Sequence, residues 1–163
     1  PRRPPPQRHR RGGQGLKGVF LLAAAMLLPA AGPVGTTVTV QVGNIRNANG
    51  NVHVDICPQA QFLTENCPYR ATVRAVAGVT TLVLQGVPAG RYAAQATHDE
   101  NRNGKVDRAL FGIPKEGVGF SNDAKIRFGP PKFDDAAFAV GATPTTIRFS
   151  LRYFLGASGP VKR

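Results

Sequence analysis

The residues best suited to chemistry lie in one stretch, His98-Asp99-Glu100-Asn101-Arg102-Asn103-Gly104-Lys105-Val106-Asp107. Asp99, Asn101 and Asn103 occupy alternate positions, so their side-chain oxygens can converge on one centre. Gly104 allows the sharp turn that follows. The Lys105 carbonyl can add a ligand, and Asp107 stands where a further oxygen, or a water bound to it, is needed. These residues fill positions 1, 3, 5, 6, 7 and 9 of the calcium loop of EF-hands. Two carboxylates and two amides are hard donors that suit Ca²⁺ rather than zinc or copper. Position 12, a bidentate glutamate in an EF-hand, is Leu110 here. Glu116 is therefore expected to complete the shell, with Asp123 as the other candidate; without either, affinity would be weak, as in extracellular modules. The bland reading is an Asn/Asp/Gly-rich turn whose side chains cap backbone amides.

Other chemistries have less to stand on. Ser121, His98 and an aspartate can be written as a triad, but the sequence has no nucleophile elbow around the serine. His98 is expected instead to cap or hydrogen-bond the acidic loop, and His53 to lie on the outward face of a strand. Glu116 and Asp123 would serve a glycosidase only at a fixed separation, which sequence does not supply. No catalytic residue is assigned. The alternative is a small exported hydrolase or lyase with its site in residues 98–135.

Charge separates along the chain. The 163 residues carry a formal net charge of +12, but Arg2, Arg3, Arg8, Arg10, Arg11 and Lys17 precede residue 18, where no acidic residue occurs. Removing these six from 21 Lys and Arg leaves 15 against 9 Asp and Glu, or +6. What remains is scattered, so nucleic acid is not an expected partner. The basic block leads into an uncharged apolar run, Val19 to Leu28, and then Pro29-Ala30-Ala31-Gly32. Such an order reads as a signal peptide over residues 1–32, since the run is about half of the ~20 residues a spanning helix needs. No transmembrane segment is expected in the mature chain, and the protein is expected to be periplasmic or secreted. Cys57 and Cys67 agree with export, because two cysteines this close in an oxidising compartment usually pair. Two buried free thiols are the other reading.

The elements that position these residues read as strands. Val38, Val40 and Val42 alternate with polar partners, as do Val52, Val54 and Ile56, and again Ile147, Phe149, Leu151 and Tyr153. Asn49-Gly50 between the first two runs predicts a hairpin turn. Further strands are expected at Ala71–Val76, Val79–Gln85 and Arg91–Thr97. Asp134 to Val140 reads as a short turn of helix capped by Asp134. About seven short strands predict an all-β sandwich, immunoglobulin-like or transthyretin-like, over residues 36–155 with Greek-key-like connections. One long irregular loop occupies 98–135, and a basic tail 156–163 follows. Phe111, Phe120, Phe128 and Phe133 are expected to give that loop something to bury.

Four segments together resemble a bacterial family of exported domains of unknown function. They are P-x-G-x-Y at Pro88 to Tyr92, H-D-x-N-x-N-G-x-x-D at His98 to Asp107, F-G-x-P-x-E-G-x-G-F-S-N at Phe111 to Asn122, and F-G-P-P-x-F-x-x-A at Phe128 to Ala136. The first is also similar to the strand of transthyretin-like and carboxypeptidase-regulatory-like domains. The resemblance implies a periplasmic or secreted β-sandwich and no established activity. The expected role is a Ca²⁺-stabilised binding or structural module whose partner is an envelope polymer or protein.

Overall fold

The computed structural model describes residues 2–3 and 35–160. Apart from residues 2–3, the signal peptide expected over 1–32 lies outside the described residues, as do the last three residues of the expected basic tail. Eight strands follow one another: β1 Thr36–Ile45, β2 Asn51–Cys57, β3 Tyr69–Arg74, β4 Gly78–Val87, β5 Gly90–Asp99, β6 Gly117–Phe120, β7 Ala137–Val140 and β8 Thr145–Ser150. They form an all-β sandwich. One sheet has the order β4-β1-β8; the other runs β3-β2-β5-β6, with β7 also pairing β5. Among the described residues no helix is long and apolar enough to cross a membrane.

The alternating residues face one another across the sandwich. Val38, Val40 and Val42 of β1, Leu82 and Leu84 of β4 and Phe149 of β8 share a core with Val52, Val54 and Ile56 of β2 and Tyr92, Ala94 and Ala96 of β5. Burying such side chains contributes roughly 1.5–3 kcal/mol each. A one-residue slip in any of these strands would turn its apolar set to water, so the register is fixed by the core.

Three local expectations are corrected. Asn49-Gly50 does make a tight turn, with Gly50 at φ +67°, yet β1 and β2 do not pair; the turn carries the chain from one sheet to the other. The Asn-Gly dipeptide supplies left-handed backbone wherever it is needed, and a crossing needs it as much as a hairpin does. Gly50 is further required because a Cβ there would come within 1.9 Å of the Asp99 carbonyl oxygen. Residues 134–140 are not one helical turn capped by Asp134: Phe133–Ala136 form the short helix α1, preceded by Lys132 with no side-chain cap. Ala137–Val140 then form β7, antiparallel to the start of β5. The long stretch is also not wholly irregular, since β6 pairs antiparallel with β5 within it.

The same stretch divides its phenylalanines. Phe120 and Phe133 pack with Ala93, Ala124 and Ala136 into a second apolar cluster on the outer side of β5. Phe62 closes it, edge-on to Phe120 and Phe133 with ring centroids 5.9 and 5.8 Å apart. Phe111 and Phe128 do not join it; they are fully exposed.

Cys57, at the end of β2, and Cys67, just before β3, form a disulfide with Cα atoms 4.8 Å apart. Both are buried. Closing this short loop restricts the unfolded chain, which contributes about 2–3 kcal/mol in the chain-entropy model. The double substitution Cys57→Ser/Cys67→Ser should therefore lower the thermal midpoint by several degrees, and a reducing agent should act on the parent chain but not on the variant.

On the outer face of the same sheet, His53 lies between Thr72 and Asp55. Its Nδ1 is 2.7 Å from Thr72 Oγ1 and its Nε2 is 2.8 Å from Asp55 Oδ1. Gln95 Nε2 donates to Asp55 Oδ2 at 3.1 Å. Burial alone would push the Asp55 carboxyl upward. The hydrogen bonds from His53 and Gln95, with the charges of His53 and Arg70, more than offset it and hold the group below its ordinary value. A folded value below the unfolded one means stability that is present above the ordinary carboxylate range and lost as pH falls through the lowered folded value. Asp55→Asn should flatten that acid limb when urea midpoints are compared across pH, and leave the neutral-to-basic limb in place.

Candidate functional site

The site is rooted where β5 ends. His98 is completely buried, so both ring nitrogens need partners. Nε2 lies 2.8 Å from the Asn49 carbonyl oxygen, which can only accept, so Nε2 carries the proton. Nδ1 then accepts from the Tyr153 hydroxyl at 2.7 Å, and the Tyr153 oxygen accepts from the Arg46 backbone N–H at 3.2 Å. Burial pushes the Tyr153 phenol up to about 12, which keeps it a donor. The Arg46 guanidinium stacks 4.4 Å above the Tyr153 ring and pairs with both carboxylate oxygens of Glu100. That pairing holds Glu100 below the usual carboxylate range. His98 thus buttresses the loop, and Glu100 points away from it.

The next carboxylates turn inward. Asp99 is buried; its Oδ1 accepts from the Asn103 N–H at 3.1 Å and its Oδ2 from the Gly104 N–H at 2.8 Å. These bonds curl the chain around Asp99, and Gly104 takes the required left-handed backbone at φ +71°. Asn101 Oδ1 accepts from the Asn103 N–H at 3.0 Å, and Asn103 Oδ1 from the Lys105 N–H at 2.9 Å. Asn101 Nδ2 and Asn103 Nδ2 both donate to the Asp107 carboxylate, at 2.7 and 3.0 Å. Asp99, Asn101, Asn103 and Asp107 are therefore brought together, with the Lys105 backbone in the same curl.

Glu116 reaches this loop and Asp123 does not. Glu116 is 4 % exposed, and its carboxylate spans the root, accepting from the Glu100 N–H and the Asp107 N–H, each at 3.2 Å. Burial pushes it above its ordinary value. The two backbone hydrogen bonds oppose that shift, and the charges of Asp99 and Asp107 add to it. Asp123 accepts from the Ser150 N–H at 2.7 Å and so belongs to β8. Leu110 is exposed, away from the loop. Among the described residues, no three His, Cys, Asp or Glu side chains stand together as a ready-made metal cage. The amide nitrogens of Asn101 and Asn103 are turned onto Asp107, while their oxygens accept from the Asn103 and Lys105 N–H groups and each keeps a second lone pair.

The triad written from sequence is not assembled. Ser121 Oγ is buried between the Ala94 N–H at 2.8 Å and the Ala136 carbonyl at 2.5 Å, while His98 is engaged by Tyr153 and Asn49. Sequence reasoning did not find Arg46, Asn47 or Tyr153, which brace Glu100 and His98 from more than 50 residues away. Their only local signal is an arginine just past β1 and a tyrosine beyond β8.

The solved structures include a pilus-presented adhesin with 16% sequence identity and a TM-score of 0.32, covering 73% of this chain and 27% of its own. The chain thus spans about a quarter of that protein, and a likeness this slight carries no argument. No curated protein matches. A family model described as "uncharacterized protein conserved in bacteria (DUF2141)" matches residues 40–148, a span that runs from β1 into β8 and contains the whole acidic loop. The chain belongs to that bacterial family.

Proposed function

We propose that the chain is an exported module of the bacterial cell envelope, stabilised by a calcium ion held in the loop from Asp99 to Asp107. The observation that carries this reading is an unbalanced charge. Asp99, Asp107 and Glu116 face one loop root, Asp99 and Glu116 are buried, and the ion pairs of the described residues engage none of the three. Buried like charges without a cation are costly, and a divalent ion among hard oxygens removes that cost. The ligands would be the carboxylates of Asp99, Asp107 and Glu116, the amide oxygens of Asn101 and Asn103, and the Lys105 carbonyl. Each carboxylate oxygen that already accepts one N–H retains a lone pair for the metal. An ion bound there would offset two of the three carboxylate charges and fix the curl. The Cys57–Cys67 disulfide supports the exported location, because such bonds persist in oxidising compartments.

Thermal unfolding with excess EDTA, then with millimolar Ca²⁺ or Mg²⁺, tests the reading. At a hundred times its dissociation constant, an ion that binds only the native state stabilises it by about 2.7 kcal/mol, which should raise the midpoint by several degrees. Asp99→Ala should abolish the calcium response. If neither ion moves the midpoint and calorimetry detects no binding, the loop is a hydrogen-bonded turn and the proposal falls.

A further inference from the structure

Between Asp107 and Lys115 the chain doubles back into a narrow finger. The Lys115 N–H donates to the Asp107 carbonyl at 2.8 Å, the Ala109 N–H to the Ile113 carbonyl at 2.7 Å, and Arg108 bridges Pro114. At its tip stand Leu110, 81 % exposed, Phe111, 99 % exposed, and Ile113, 39 % exposed. Folding gains nothing from leaving a phenylalanine and a leucine in water, and clustered exposed apolar side chains mark interaction sites. Backbone geometry adds to this. Phe111 sits at φ +62°, ψ +20°, a left-handed conformation that a bulky residue adopts only against strain. The surrounding hydrogen bonds hold it there, and Arg108 Nη1 braces the turn by donating to the Gly112 carbonyl at 3.0 Å.

The charges around the tip choose among partners. Arg102, Lys105, Arg108 and Lys115 are all exposed, and the half-buried Glu100 is already paired with Arg46. The apolar tip projects from a finger that carries exposed Arg108 and Lys115 and adjoins a loop that carries exposed Arg102 and Lys105. It matches a surface that is anionic outside and hydrocarbon beneath, where apolar burial and headgroup attraction add together. We infer that the 107–115 finger is a docking element for anionic lipid surfaces, with Leu110, Phe111 and Ile113 entering the headgroup layer and the four cations meeting phosphates. This departs from the polymer or protein partner expected from sequence. It deepens the reading of the chain as an envelope binding module but does not require the metal. The finger begins at Asp107 and ends beside Glu116, both at the root of the acidic loop, so an ion bound there would take the local balance of three carboxylates against four cations from +1 to +3 and strengthen docking.

The chain contains no tryptophan, so Phe111→Trp places a single reporter at the tip. Its emission should move from that of a water-exposed indole toward that of an apolar site when phosphatidylglycerol vesicles are added, and it should become shielded from an aqueous quencher. Phosphatidylcholine vesicles should bind at least about tenfold more weakly, as expected when two or more Lys and Arg contacts of about 1 kcal/mol each are lost. An indole that stays water-exposed while the protein sediments with the anionic vesicles overturns the proposal, since binding would then come from elsewhere in the chain. A shift that grows with protein concentration without vesicles overturns it too, because the tip would be meeting a second copy. Because the readout follows the tip alone, it stands or falls independently of the calcium-dependent melting point.

Discussion

A fully buried histidine sets the geometry on which the loop region depends. His98 needs an acceptor for one ring nitrogen and a donor for the other, and leaving either unsatisfied would cost roughly 1–3 kcal/mol. Asn49 belongs to the crossing between the sheets and Tyr153 to the chain beyond β8, so satisfying the imidazole ties the end of β5 to both. Tyr153 in turn holds the Arg46 backbone and lies under the Arg46 guanidinium, and Arg46 fixes Glu100. The loop therefore leaves the sandwich from a rigid root, and the direction of the next carboxylates follows from it.

That root also explains why the acidic loop and the finger behave as one unit. Glu116 lies one residue before β6 and grips the backbone of both Glu100 and Asp107. The pairing of β6 with β5 places it there, with Gly117 opposite His98. Asp107 and Glu116 are thus coupled through short covalent and hydrogen-bonded links to the base of the finger.

The sequence was most legible where one face of an element is buried. Val38/Val40/Val42, Val52/Val54/Ile56 and Phe149/Leu151/Tyr153 repeat with period two because water lies on one side of them and core on the other. It was least legible where pairing rather than pattern makes the strand. Gly117-Val118-Gly119-Phe120 and Ala137-Phe138-Ala139-Val140 are short, with glycine or alanine where a polar residue would mark the outer face, and exist as strands because β5 offers them unpaired backbone. The acidic loop was readable because its geometry is local: each of Asp99, Asn101 and Asn103 bonds within a few residues. Glu116 was readable as a candidate, but its separation from Asp123 was not, since that depends on how β6 and β8 are laid beside each other. The tip phenylalanine was misjudged for a different reason. Composition says that Phe111 is apolar, and only the fold says that nothing covers it.

The parallel pairing of β1 with β8 has a consequence for the order of assembly. Val38 lies opposite Thr145 and Val42 opposite Phe149, so the middle strand of the smaller sheet waits for a partner made more than a hundred residues later. Until that segment arrives, β1 keeps one row of backbone groups open and the core lacks Phe149. Contacts of such long range slow folding and leave the incomplete chain without a stable stopping point. The smaller sheet is therefore complete only once the last strand has closed onto the first.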